Sequence, residues 1–269
     1  MPLGLAVALM ATAEVLDLLS GQELRPVNWS VYVGVTLIIL STYAPVAWPL
    51  VGATYPVDCP LGKLGWPLIA TAVAMVVAFV AEMLHYEKPG GHVVRISLAV
   101  FVICYVGLAM SFLVLLRLFH SNAWGMAALV SLVFVAKVSD TGAYTFGKLF
   151  GRHPMSHKLS PNKTVEGAVG GIFVAAMAAV VFFQFILPWI VPTAAPIPWW
   201  RSALFGIIIG GVGIIGDLAE SLIKRDVGRK DSSGWLLGLG GVLDVLDSVL
   251  IAAPFAFLLW AAGLVGPDV

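Results

Sequence analysis

The sequence predicts an all-α, polytopic integral membrane protein with about eight transmembrane helices. Two observations carry that expectation. Of the 269 residues, 60% are hydrophobic and only 11% are charged, against about 25% charged in a soluble domain; the mean hydropathy is +0.98. The apolar stretches also reach the length of a bilayer span without the alternation a transmembrane barrel strand needs. Together these exclude a soluble globule, a disordered chain, a coiled coil and a disulfide scaffold. Cys59 and Cys104 have neither metal nor redox spacing. The net charge is zero, so no overall field points to nucleic acid, and none is expected as a partner.

Eight apolar segments run over about 2–19, 29–50, 64–84, 96–118, 122–139, 164–190, 203–223 and 241–265. In the first, Ala11-Thr12-Ala13 has the spacing of a signal cleavage site. The missing basic flank favours a first spanning helix instead, and an earlier helix ahead of Met1 would make nine. Proline and polar clusters make the breaks, from Gly21 to Pro26, Tyr55 to Lys63, Glu87 to His92 and Pro192 to Trp200. Trp29, Trp66, Trp189, Trp199, Trp200 and Trp235 sit near segment ends, where indole rings favour the headgroup level. With no long polar linker, residues 1–269 are expected to form a single membrane-embedded domain.

Charge asymmetry orients the chain. The loops after segments one, three, five and seven hold eleven Lys and Arg residues, and the alternate loops hold three. The first set, including Lys148, Arg152, Lys158 and Lys163, then Lys224, Arg225, Arg229 and Lys230, is therefore expected in the cytoplasm. The stretch 139–167 combines lysines with Gly, Ser and Thr and suits a phosphate-binding surface. Basic anchoring to headgroups explains its Lys and Arg, but not the interleaved Asp140, Ser160 and Thr164.

Ionisable groups inside spans are costly, and each is a candidate functional group. Segment seven carries Asp217, Glu220 and Ser221 in GDLAES, and segment eight carries Asp244, Asp247 and Ser248 in LDVLDS. On a helix, positions i, i+3 and i+4 share a face, so each segment presents two carboxylates and a hydroxyl together. A single such acid could cap a helix end. Two matched pairs flanking a basic loop call for a divalent metal, basic partners or protonation. Oxygen-only donors favour a hard ion such as Mg²⁺. A lone Lys137 reads as a snorkelling side chain and stays outside the expected site.

These residues resemble a known signature. Ser221, Lys224, Arg225, Lys230, Asp231, Gly240, Gly241, Asp244 and Asp247 match the spacing of S-x-x-K-R-x4-K-D followed by H-G-G-x-x-D-R-x-D. That is the pattern of the phosphatidate cytidylyltransferases (CDP-diacylglycerol synthases). The stretches Ser139 to Tyr144 and Ser160 to Gly167 are similar to that family as well, so the resemblance covers about residues 130–250. Leu239 replaces the family's usual His, Val245 its usual Arg, and Leu237 a small residue or proline.

The resemblance implies an integral-membrane nucleotidyltransferase of phospholipid biosynthesis. It would make CDP-diacylglycerol and pyrophosphate from CTP and phosphatidate, with Mg²⁺ and room for a second cation. It implies metal ligation by Asp217, Asp244 and Asp247, with Glu220 ligating or orienting. Lys224, Arg225 and Lys230 would hold phosphate groups. Asp140, Lys163 and Thr164 would form a second wall, with Asp231, Ser221, Gly240 and Gly241 also binding substrate. The expected location is the cell membrane, among its lipids, with the active loops cytoplasmic; a homodimer is compatible with the reading.

Three other readings draw on parts of the same pattern. A CTP-dependent lipid or polyprenol kinase would use the same charges. A CDP-alcohol phosphotransferase would need D-G-x-x-A-R, which is absent, and acids four apart rather than three. A cation-coupled transporter would favour inverted repeats, where this chain has only a short echo in neighbouring segments.

Overall fold

The computed structural model describes residues 2–21, 25–48, 52, 55–56, 59–156, 158–229, 232–233 and 240–267. Each apolar segment carries a helix. These are α1 (Pro2–Leu19), α2 (Asn28–Thr42), α3 (Gly65–Leu84), α4 (His92–Arg117), α5 (Asn122–Phe150), α6 (Val165–Ile190), α7 (Trp199–Asp226) and α8 (Val242–Ala261). Among the described residues, seven are long and apolar enough to cross a membrane. The shorter one is α2, with 15 residues; it rises about 22 Å at 1.5 Å per residue, less than the roughly 30 Å of a hydrocarbon core. Single π-helical turns interrupt α4 at Ile103–Leu108 and α6 at Phe182–Ile186.

The described residues group into two compact units, Met1–Leu115 with Asp231–Val245, and Leu116–Lys230 with Leu246–Val269. In the first unit, α1 to α4 pack by side-chain size. Ala70, Ala74, Ala78 and Ala81 of α3 are buried, while Val73, Val76, Phe79, Val80 and Met83 are exposed. Both sets are apolar, so water-driven burial does not choose between them. Small residues face inward because they let backbones approach, and bulky ones face lipid. On α2, Gly34 shows how close that approach is: a Cβ there would lie 3.0 Å from Ala74 and from Ile103. A buried Glu82 closes the α3–α4 turn, 2.7 Å from His92 Nδ1 and 3.4 Å from Arg95 Nη1.

In the second unit, α5 packs on α6 and α7, and α6 on α7. Trp260 of α8 is fully buried against the rings of Phe119, Trp124 and Phe183. Its indole N–H donates to Ser131 Oγ at 3.3 Å, satisfying the one polar atom of that ring. Helix α5 runs eleven residues beyond the segment end expected at 139, to Phe150. The stretch Ser139 to Phe150, polar and Gly-rich enough to suggest a loop, stays helical because Ala143 and Phe146 pack against Gly171 and Gly170 of α6. Only then does the chain turn, through an antiparallel hairpin of β1 (Pro154–Ser156) and β2 (Ser160–Thr164). The hairpin is tied to the start of α6: the Glu166 carboxylate accepts the backbone N–H groups of Arg152 (3.1 Å) and His153 (3.2 Å), and Thr164 Oγ1 caps α6 by accepting the Gly167 N–H at 3.1 Å.

The α6–α7 crossing leaves no room at Gly206, where a Cβ would lie 2.6 Å from the Ala176 Cα, whereas a Cβ at Gly211 meets nothing within 4 Å. Gly206→Leu is therefore expected to cost about 1–3 kcal/mol and to lower the melting temperature of the purified protein in detergent. Gly211→Leu should leave that temperature unchanged. Equal behaviour of the two variants would show that this crossing does not carry the second unit.

Candidate active site and metal centre

The site in the second unit begins with helix periodicity. On α7, Asp217, Glu220, Ser221 and Lys224 recur at i, i+3, i+4 and i+7 and so share a face. Gly216 lets α8 approach that face: a Cβ at 216 would come within 2.6 Å of the Asp247 carbonyl oxygen and 3.2 Å of the Ser248 Cα. With no side chain there, Asp247 reaches the acids of α7. One carboxylate oxygen each from Asp217, Glu220 and Asp247 lies within 4.8 Å of the other two. Glu220 is 1% exposed and Asp247 8%.

Three acids this close, two of them buried, repel one another unless cations intervene. The chain supplies one lysine to each. Lys163 from β2 is ion-paired with Asp217. Lys224 donates to Glu220 Oε2 at 2.9 Å. Lys137 of α5 lies 3.4 Å from Asp247 Oδ1 and donates to Asp140 Oδ2 and to Ser248 Oγ, both at 3.1 Å. The Ser248 hydroxyl in turn is 3.1 Å from Asp140 Oδ2. With Asp140 included, four acids face three lysines among the described residues.

Beside this cluster lies a cavity of about 540 Å³, lined among others by Asp140, Tyr144, Ser160, Lys163, Thr164 and Asp217. The expected second wall of Asp140, Lys163 and Thr164 thus meets Asp217 around one space. The three carboxylates offer only oxygen and lie close together, two from α7 and one from α8. That donor set fits a divalent, hard cation.

Asp244 has other partners. Its Oδ2 accepts the N–H of Gly241 (2.6 Å), the N–H of Ser232 (3.2 Å) and the Ser232 hydroxyl (2.8 Å). These bonds cap the N-terminus of α8, where helix amides lack intrahelical partners. Gly240 precedes the cap with φ +82°, a conformation that favours glycine. Ser221 is half-buried on α7, and Arg225 is exposed near its end. The expected contacts of Lys230 and Asp231, and the substitutions at Leu237 and Leu239, fall outside the described residues. Sequence reasoning left Lys137 outside the site and named Ser248 only as the hydroxyl beside the acids of its own helix. The i, i+3 spacing from Lys137 to Asp140 is a usable signal, but only once α5 is known to continue past 139.

The described residues thus form a helical protein with seven candidate membrane spans and a lysine-balanced acidic face beside a cavity, where three carboxylates could hold a metal ion. Comparison with known proteins sharpens this. The sequence pattern of the cytidylyltransferase family matches residues 1–262, so the chain belongs to that family. It is 36% identical over 157 residues to a phosphatidate cytidylyltransferase of Staphylococcus saprophyticus, covering 58% of this chain and 56% of that protein. It is 35% identical over 157 residues to one of Bacillus subtilis, covering 58% and 55%. A third, from Mycobacterium tuberculosis, is 34% identical over 174 residues, covering 64% and 49%. The chain thus spans about half the length of the curated relatives it matches.

The cluster geometry makes a direct prediction about metal binding. Titration of Mn²⁺ into the purified protein, followed by electron paramagnetic resonance, should show a bound ion that Asp217→Asn and Asp247→Asn remove. Asp244→Asn should leave that ion in place. Loss of the ion in Asp244→Asn alone would move the centre to the α8 cap.

Proposed function

We propose that this chain is a membrane-embedded phosphatidate cytidylyltransferase, joining the cytidylyl group of CTP to phosphatidate to give CDP-diacylglycerol and pyrophosphate. The observation that carries the reading is the lysine-balanced trio of Asp217, Glu220 and Asp247 beside the Lys163-lined cavity, in a chain of the cytidylyltransferase family. The relatives named for this activity support it, and nothing in the site favours the kinase, phosphotransferase or transporter readings.

In this reaction a phosphate oxygen of phosphatidate forms a bond to the α-phosphorus of CTP. The bond from that phosphorus to the bridging oxygen breaks, and pyrophosphate leaves with the electron pair. Phosphatidate is already ionised, so no dedicated base is required. The difficulty is bringing two anions together, and the chain's cations address it. Lys163 and Lys224 each hold one carboxylate and can turn toward phosphate oxygens when substrate enters. Arg225 adds charge near the end of α7, and Lys230 follows five residues later in the sequence. Lys137 and Ser248 hold Asp247 and Asp140 in place. Asp217, Glu220 and Asp247 would hold Mg²⁺, which supplies charge neutralisation at the reacting phosphoryl oxygens. Asp244, which caps α8, positions the turn of helix that carries Asp247.

The spans put the chain in contact with lipid. The basic loops support a site on the cytoplasmic side of the cell membrane, where CTP is available. Residues 130–250 form the catalytic region of a single embedded domain, and phosphatidate keeps its acyl chains in hydrocarbon while its phosphate enters the site.

The decisive assay uses purified protein with phosphatidate, Mg²⁺ and labelled CTP. Label from [α-³²P]CTP should enter the lipid, and label from [γ-³²P]CTP should leave as pyrophosphate. Label from the γ position in the lipid would mean a kinase, and no lipid label from either would overturn the reading. Asp217→Asn should fold normally and lose on the order of 1,000-fold in rate, the several kcal/mol expected when phosphoryl charge goes unneutralised.

A further inference from the structure

Helix α1 carries a buried acid, Glu14, that the site described above does not use. Glu14 is 2% exposed within an apolar helix, where an unsatisfied carboxylate is strongly disfavoured. It is fully engaged. Its Oε1 accepts the Val242 N–H (2.8 Å) and the Ser233 hydroxyl (2.7 Å). Its Oε2 accepts the Leu243 N–H (2.7 Å) and faces the Ser232 hydroxyl at 3.2 Å.

Two carboxylates therefore share the start of α8. Asp244 takes the amide of Gly241, and Glu14 takes the next two, Val242 and Leu243. The Ser232 hydroxyl lies between the two acids, and having one proton it donates to one of them at a time. Gly241 is part of the same arrangement, because a Cβ there would collide with the Glu14 carboxylate and the Ser232 hydroxyl. The Gly-Gly pair ahead of α8 thus has two separate causes, a positive φ at 240 and the approach of Glu14 at 241.

We propose that Glu14 is a positioning residue for the reaction: from α1 it clamps the N-terminus of α8 and the Ser232–Ser233 segment, and through them sets the orientation of Asp244. The inference rests on the cytidylyltransferase reading of the site. The substitution that tests it is Glu14→Gln, which keeps size and shape. It replaces one acceptor oxygen with an NH₂ group that must face a backbone N–H, donor against donor.

Two readouts on the full chain in detergent decide it. In Glu14→Gln, hydrogen exchange at the amides of Val242 and Leu243 should accelerate while α3 amides stay protected. The kcat for CDP-diacylglycerol formation should fall on the order of 100-fold, the scale expected for a small misplacement, with the KM for phosphatidate unchanged. A loss confined to general stability would move α3 exchange as well and would not split kcat from KM. Ser233→Ala, which removes one of the bonds to Glu14, should change both readouts in the same direction by less, and it serves if Glu14→Gln does not fold. Wild-type exchange at Val242 and Leu243, or faster exchange with wild-type kcat, overturns the proposal. A wild-type chain without turnover would defeat the reaction assigned above, while the exchange data would still decide whether Glu14 holds α8.

Discussion

The second unit depends on one constraint: buried carboxylates gathered in a low-dielectric setting must be neutralised where they stand. Asp217, Glu220 and Asp247 each have a lysine, from β2, from the next turn of α7 and from α5. A buried pair of this kind adds little net stability, since desolvation opposes the attraction, but removing one partner leaves an uncompensated charge. The arrangement therefore ties three elements to one place. It also leaves each lysine exchangeable, because a phosphate oxygen can replace a carboxylate oxygen at similar distance and charge. The same groups that make the acids tolerable inside a membrane protein are thus those suited to anionic substrates.

Close packing makes the cluster reachable. Gly216 stands next to Asp217, and the backbone of Asp247 and Ser248 comes against it. A side chain at 216 would force α7 and α8 apart and withdraw Asp247 from its partners. In the first unit the alanine stripe of α3 and Gly34 of α2 act in the same way, with bulky residues turned out to lipid. Where solvent is hydrocarbon, size rather than polarity sorts side chains between inside and outside.

The start of α8 shows a second use of buried acid. There, amides and hydroxyls hydrogen-bond to Asp244 and Glu14. Helix N-termini have unsatisfied donors and a positive dipole end, so a carboxylate there is stabilised without a counter-ion.

The sequence by itself determined the membrane class, the places of the eight helices, the face shared by Asp217, Glu220 and Lys224, and the basic stretches. All of these follow from composition or from spacing along one helix, and such local patterns survive any packing. Tertiary structure alone decided that Asp247 meets the α7 acids, that Asp244 caps its own helix, that Lys137 joins the site and that Glu14 reaches the far end of the chain. It also decided that α5 continues to Phe150 on the strength of contacts with Gly170 and Gly171. Periodicity tells which residues share a face; which faces meet depends on where small residues allow two backbones to approach, and that is set by partners distant in sequence.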